Sequence, residues 1–205
     1  MRPLPRLHAV TTSALLSHPE LGIRAAAIAA AGSAIALHAR ARESAGAFLA
    51  AAAQRLLSLA RPPGAAVIVN ARTDVAAAVG AHGVQLARAD LAPPDVRQLF
   101  SGWIGCSVHS VEEAAIAATE GADFLMVGNV YETASHPGRP GAGLDLVRRT
   151  SRIGVPVIAI GGITADRAVE VRDAGGYGVA AIRALWESAD PAAAAMQFLQ
   201  PWADQ

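Results

Sequence analysis

Short runs of β-branched and other apolar residues alternate along the chain with longer, alanine-rich stretches. Eight of the short runs are four to six residues long, and each predicts a strand: residues 7–10, 34–37, 66–69, 83–86, 103–108, 124–127, 156–160 and 178–181. A stretch of helical character follows each of them: residues 19–31, 44–60, 73–79, 93–100, 111–120, 144–151, 164–174 and 191–200. Regular alternation of this kind is typical of parallel βα units.

The count of eight units favours a closed barrel over an open sheet. A dinucleotide-binding sheet would carry a glycine-rich fingerprint after its first strand, where this chain has Thr11-Thr12-Ser13. A glycine pair, Gly161-Gly162, instead follows the seventh strand, which is where (β/α)8 barrels commonly bind phosphate. We therefore predict an α/β fold, a single (β/α)8 TIM barrel domain over residues 1–205.

Composition and charge narrow the classes of partner. The chain is 53% hydrophobic and balances 17 basic against 17 acidic residues, which excludes a disordered chain and an electrostatic nucleic-acid binder. A lone Cys106 indicates a reducing compartment. The most apolar run, residues 25–37, is shorter than the roughly 20 residues of a membrane span. We expect a cytoplasmic protein that binds a small molecule and has neither a nucleic-acid nor a membrane partner. Its apolar helices are compatible with a homo-oligomer.

In this fold the ligand contacts residues at the carboxyl ends of the strands. Gly161 and Gly162 offer backbone N–H groups just before a helix, which suits a phosphate, although two glycines also make an ordinary tight turn. Arg40 shares a strand face with His38 and Arg42, and its guanidinium can clamp phosphate or carboxylate; a solvated strand exit is the alternative.

Three further strand ends carry candidate chemistry. Asn70 can both donate and accept, which suits a heteroaromatic ring, a carboxylate or a loop cap. His109, on the same strand face as Ser107, is the preferred acid/base, against the alternative of a structural histidine. Asp90 is the one well-placed carboxylate for Mg2+, which needs one or two carboxylates together with phosphate oxygens. The irregular segment 129–143 predicts an active-site loop.

Several of these residues fall in motifs that resemble the thiamine phosphate synthase superfamily over residues 7–187. The motifs are His38-Ala39-Arg40-Ala41-Arg42, Val69-Asn70, Gly83-Val84-Gln85-Leu86, Gly105-Cys106-Ser107-Val108-His109-Ser110, Gly128-Asn129-Val130-Tyr131-Glu132-Thr133 and Ala159-Ile160-Gly161-Gly162-Ile163. The synthase branch joins an aminopyrimidine diphosphate to a thiazole phosphate. For that branch the resemblance implies a Gln-x-Arg-x-Lys strand for pyrophosphate, two Asp residues for Mg2+ and a Lys in the strand-six loop. This chain departs from that pattern at His38, Arg42, Ala71 and His136.

The chain resembles the sister branch, the metal-independent thiazole tautomerases, more closely in these motifs. That resemblance implies aromatisation of a carboxythiazole phosphate by proton transfer without a cofactor. His109 would move the proton, and Asn129, which stands where characterised tautomerases have a His, would orient the ring. The implied substrate-binding residues are His38, Arg40, Arg42, Asn70, Ser107, Thr133 and Ser135, and the implied phosphate-binding residues are Gly161, Gly162, Ala181, Ile182 and Arg183. Two alternatives stay open: a thiamine phosphate synthase with Mg2+ at Asp90, and a non-catalytic thiazole phosphate binder or regulator.

Overall fold

Eight parallel strands pair in sequence order and close into a barrel in the computed structural model, which describes residues 2–41, 44–60, 64–133, 138 and 140–203. The strands are β1 Leu7–Val10, β2 Ile35–Ala39, β3 Ala66–Asn70, β4 Gly83–Leu86, β5 Trp103–Val108, β6 Phe124–Val127, β7 Val157–Ile160 and β8 Gly178–Ala181. The predicted (β/α)8 TIM barrel is confirmed. That residues 1–205 form one domain stays a prediction.

Helices surround the barrel. They are α1 Ser13–Leu16, α2 Leu21–Ala29, α3 Gly46–Ala60, α4 Thr73–Val79, α5 Pro93–Leu99, α6 Val111–Thr119, α7 Gly143–Ser151, α8 Ala165–Asp173, α9 Arg183–Trp186 and α10 Pro191–Leu199, with 3-10 turns at Gly32–Ala34 and Gln200–Trp202. Each of the eight predicted helices overlaps one of these. No helix within the described ranges is both long and apolar enough to cross a membrane.

Two features of the helix and strand pattern were not predicted. The one-turn helices α1 and α9 lie in segments predicted as loops, because four residues are too few to show a helical period. The helix predicted over residues 19–31 is observed at Leu21–Ala29. A 3-10 turn at Gly32–Ala34 includes the first residue of the predicted strand 34–37, and the strand itself is Ile35–Ala39. As a result His38 pairs with Val10 and Ile68 and lies within the sheet, not after it.

Side chains of alternating strand residues fill the barrel interior. Its apolar part is formed by Val10, Ala36, Ala66, Ile68, Trp103, Phe124, Met126, Ile158 and Ala180. Gly105 makes room for the ring of Phe124, because a Cβ on residue 105 would overlap Cζ of that ring. Polar side chains on the same interior face, at His8, His38 and Gln85, are also buried. The interior is therefore a packed core that closes the barrel below its carboxyl end.

Candidate active site

A cavity of about 910 Å³ opens at the carboxyl ends of the strands, and residues from or just after all eight strands line it. Its size lies within the usual range for small-molecule sites. The predicted site residues among its lining are Arg40, Asn70, Asp90, Ser107, His109, Asn129, Thr133, Gly161, Gly162, Ala181, Ile182 and Arg183. The structure thus brings together residues that lie up to 143 positions apart in the chain, from 40 to 183.

The remaining predicted site residues are His38, Arg42 and Ser135, of which the structure describes only His38. His38 is 0% exposed and lies beneath the cavity, where its ring nitrogens contact His8 and Asn70, so it reaches a ligand only through Asn70. Arg42 and Ser135 lie outside the described residues, as does His136. Their predicted roles in substrate binding stay predictions.

The glycine pair after β7 adopts a turn that only glycine accommodates. Gly161 has φ +102° and Gly162 has φ +65°. A Cβ on Gly161 would lie 2.5 Å from Cβ of Asn129, and one on Gly162 would lie 2.6 Å from the carbonyl oxygen of Glu132. The two glycines therefore let the turn pack directly on the segment after β6. Their carbonyl oxygens accept from Tyr131 N at 3.0 Å and from Arg167 Nη1 at 2.7 Å, respectively.

A clamp that the sequence did not reveal holds this turn in place. The guanidinium of Arg167, on α8, lies 4.3 Å from the ring centroid of Tyr131 and donates to Gly162 O. The hydroxyl of Tyr131 donates to Glu170 at 2.9 Å, and burial together with this bond raises the pKa of Tyr131 to about 12. Only the i, i+3 spacing of Arg167 and Glu170 on one helix face could have suggested the clamp.

His109 is fixed by two contacts after β5. Its backbone N–H donates to Glu113 at 2.7 Å, while Ser110 caps α6 by accepting from Glu113 N at 3.1 Å. Its Nδ1 contacts the carbonyl oxygen of Gly128, which can only accept, so Nδ1 carries the proton. In the neutral ring Nε2 is then the acceptor, on a side chain that lines the cavity.

Asn129 and Ser107 complete the strand-five and strand-six side of the site. The amide Nδ2 of Asn129 donates to Tyr131 O at 3.3 Å, and its backbone oxygen accepts from Ala142 at 2.8 Å. Ser107 Oγ accepts from Gln85 at 3.0 Å. None of these three side chains titrates near neutral pH. Proton transfer in this part of the cavity therefore has only His109 as its carrier among the described lining residues.

The charged groups in the described lining are three guanidiniums and one carboxylate. Arg40, Arg72 and Arg183 outnumber Asp90. Arg72 pairs with Asp74, which holds the pKa of that carboxyl at about 2, below its ordinary value, through a hydrogen bond. An excess of positive charge around a concave, partly apolar surface favours anionic ligands.

The donor groups do not form a protein site for Mg2+. Asp90 is the one carboxylate of the described lining, and one of its oxygens already accepts from Ala87 N at 2.7 Å. Position 71, where the synthase pattern has an Asp, is Ala71 with φ +69°. Within the part of the chain that the structure describes, no group of three His, Cys, Asp or Glu side chains could hold a metal ion.

The motifs around this cavity match a known family. The family model described as "Thiamine monophosphate synthase" matches residues 7–185. The chain belongs to the thiamine monophosphate synthase family. Thiamine-phosphate synthase of Thermus thermophilus is 43% identical over 144 residues, covering 69% of this chain and 70% of that protein. The enzyme of the same name from Mycolicibacterium smegmatis is 43% identical over 145 residues, covering 68% of this chain and 63% of that protein.

A solved member of the family has the same architecture. Thiamine phosphate pyrophosphorylase from Pyrococcus furiosus superposes with a TM-score of 0.82 at 32% identity, and the match covers 98% of this chain and 96% of that one. The predicted superfamily is confirmed, and membership places the chain in thiamine biosynthesis.

The predicted branch is wrong. Curated relatives at 39–43% identity are named thiamine-phosphate synthase, which contradicts the prediction of a thiazole tautomerase. The prediction depended on single positions, above all Ala71 and the histidine motifs, whereas the similarity to the synthases extends over about two thirds of the chain.

Proposed function

We propose that this protein is a thiamine-phosphate synthase, a transferase that joins an aminopyrimidine diphosphate to a thiazole phosphate. The observation that carries the proposal is the 43% identity with relatives of that name. In this reaction the bond between carbon and the diphosphate oxygen breaks, and diphosphate leaves with the electron pair. The lone pair of the thiazole nitrogen forms the new carbon–nitrogen bond.

The side chains around the reacting rings suit a coupling that needs no proton carrier. A neutral ring nitrogen attacks with a lone pair it already has, so bond formation requires no general base. Asn129, which cannot titrate near neutral pH, can therefore serve by orienting a ring through hydrogen bonds. The neutral form of His109 has its acceptor at Nε2, and His109 has the same orienting role in this proposal.

The charges supply two regions for anionic groups. The turn at Gly161 and Gly162 and the Ala181–Arg183 segment both line the cavity. We assign the thiazole phosphate to the backbone N–H groups of these two segments and to the side chain of Arg183. Arg40 follows β2, which is three strands round the barrel from β7 in the order β7–β8–β1–β2. We assign the diphosphate to Arg40, whose planar guanidinium can bind two oxygens at once.

The proposal includes small phosphorylated substrates and no resident cofactor. Because Asp90 is the one carboxylate among the described lining residues, a divalent ion held there would depend on the oxygens of the diphosphate for its other ligands. A homo-oligomer, the absence of nucleic-acid and membrane partners, and a cytoplasmic location stay predictions.

Two arginine variants and a control test the assignment of the two anionic regions. Arg183→Ala should raise the KM for thiazole phosphate about tenfold or more, and Arg40→Ala should do the same for the diphosphate, because each loses a charge-assisted hydrogen bond. Arg152→Ala, an exposed residue away from the cavity, is the matched control and should leave both KM values unchanged. Binding of both substrates without any coupled product would instead support a non-catalytic binder.

A further inference from the structure

A row of polar groups runs through the barrel interior beneath the cavity. Nε2 of His8 lies 3.2 Å from the carbonyl oxygen of Pro5, and Nδ1 of His8 lies 2.8 Å from Nε2 of His38. Nδ1 of His38 in turn lies 3.0 Å from the Oδ1 position of Asn70. Both imidazoles are 0% exposed, whereas Asn70 lines the cavity. The row connects a backbone carbonyl to a side chain that meets the ligand.

The positions of the protons follow from the one group that can only accept. Because Pro5 O is a carbonyl oxygen, Nε2 of His8 must donate to it, and the neutral ring then has its lone pair on Nδ1. That lone pair requires Nε2 of His38 to donate. Nδ1 of His38 is then an acceptor, so the group that Asn70 turns toward it must be the amide NH2.

Two other arrangements are less favourable. Reversing every bond sets the lone pair of His8 Nε2 against Pro5 O, so that two buried acceptors lie 3.2 Å apart. Protonating either His8 or His38 on both nitrogens satisfies each contact but puts a cation in the barrel interior, and burial lowers the pKa of His8 well below its ordinary value. Burial, with a smaller effect of the Arg40 charge, lowers the pKa of His38 to about 4, so the ring is neutral at pH 7.

We propose that His8 and His38 are positioning residues that turn the carbonyl oxygen of Asn70 toward the cavity. Amide nitrogen and oxygen have nearly the same shape, so the hydrogen-bond network decides which of them faces the ligand. An oxygen in that place selects a group that donates, such as the exocyclic amine of an aminoheteroaromatic ring, and repels phosphate and carboxylate oxygens. The identity of the ring as the aminopyrimidine rests on the proposed function; the orientation of the row does not.

Nitrogen-15 NMR of the histidine rings at pH 7 tests the orientation directly, and two other histidines serve as internal references. Val67 N donates to Nδ1 of His82 at 3.0 Å, which fixes the Nε2–H tautomer, whereas His109 carries its proton on Nδ1. We expect His8 and His38 to show the Nε2–H tautomer of His82. The Nδ1–H tautomer at either residue would overturn the proposal, whatever the enzyme's activity.

Variants of His8 test the effect on ligand selection. In His8→Leu the Nε2–H of His38 has no acceptor, so the ring should change to Nδ1–H, donate to Asn70 Oδ1 and turn the amide NH2 toward the cavity. His8→Gln is the conservative control, because its amide can donate to Pro5 O and accept from His38.

The probes are the aminopyrimidine diphosphate and its analogue with hydrogen in place of the amino group. His8→Leu should raise the KM for the amine about tenfold with a smaller change in kcat, leave the analogue unaffected, and be rescued in His8→Gln. Unchanged discrimination together with an unchanged His38 tautomer in His8→Leu would overturn the proposal. Failure of the wild-type protein to bind either pyrimidine would count against the proposed function while the tautomer result still decides the orientation of Asn70.

Discussion

Gly161 packs against Asn129 so closely that a Cβ on Gly161 would lie 2.5 Å from Cβ of Asn129. The turn proposed to bind phosphate therefore packs directly on the residue proposed to orient the ring. We therefore expect a larger side chain at residue 161 to displace Asn129 as well.

Gly161→Ala should destabilise the protein and impair activity. The added methyl meets Asn129 and must also adopt φ +102°, and we expect a loss of about 3 kcal/mol in the free energy of unfolding. Gly154→Ala is the matched control, because Gly154 has φ +91° but no atom within 4 Å of the added Cβ. Chemical denaturation of both variants measures the difference; equal losses would show that the contact with Asn129 is unimportant.

The clamp on α8 should act on phosphate binding. Arg167→Ala removes the 2.7 Å bond to Gly162 O and the contact with Tyr131, so the glycine turn loses its support. We expect the KM for thiazole phosphate to rise about tenfold with a smaller change in kcat. Arg172→Ala, on the same helix but bonded to Pro201 O, is the control and should have no such effect. A kcat loss without a KM change would argue against this role.

The buried histidine pair should make stability depend on pH. Burial lowers the pKa of both His8 and His38, and that of His38 to about 4, while unfolded histidines titrate near 6.5. Above pH 6.5 both states are neutral and stability is complete. As the pH falls from 6.5 toward 4 only the unfolded chain binds the protons, so the free energy of unfolding should fall, by about 3 kcal/mol for His38 alone.

Urea unfolding at several pH values measures this effect. His38→Gln removes one of the two titrating groups and should give a shallower slope than the wild-type protein between pH 6.5 and 4. A wild-type stability that stays constant over that range would show that the pair is not buried as neutral rings.

Ala71→Asp should create a stronger site for Mg2+. The substitution adds a second carboxylate beside Asp90, the one carboxylate in the described part of the lining. Because φ +69° suits Asp better than Ala, folding should not suffer. We expect Ala71→Asp to bind Mg2+ several-fold more tightly than the wild-type protein, which calorimetric titration of both proteins with Mg2+ measures. Ala71→Asn has the same backbone preference without the charge and is the control. An unchanged affinity for Mg2+ in Ala71→Asp would show that a carboxylate at residue 71 does not contribute to a metal site.

The eight strands and most of the cavity could be predicted from the sequence because both follow local rules. Alternation of strands and helices defines the barrel, and the fold directs strand ends such as Arg40, Asn70 and His109 toward one opening. The role of His8 could not be predicted in this way. Its partner His38 lies on another strand, and their contact depends on the register Val10↔His38 and on barrel closure.

The reaction could not be predicted from the sequence for a different reason. Asn129 and Ala71 are single positions, and different side chains at one position can serve the same reaction. These two residues therefore could not decide between a tautomerase and a synthase. The clamp between Tyr131 and Arg167 was missed because it joins residues 36 positions apart, on the loop after β6 and on α8. Long-range contacts of this kind leave no periodic signal in the sequence.

The proposed synthase activity is tested by incubating the purified protein with two substrates, aminopyrimidine diphosphate and thiazole phosphate. The measurement follows the formation of both products, thiamine phosphate and diphosphate. We expect the two products to form in equal amounts and far faster than without protein. Arg183→Ala should slow the reaction, whereas Arg152→Ala should not. No thiamine phosphate above the uncatalysed rate, with both substrates shown to bind, would contradict the proposed synthase activity.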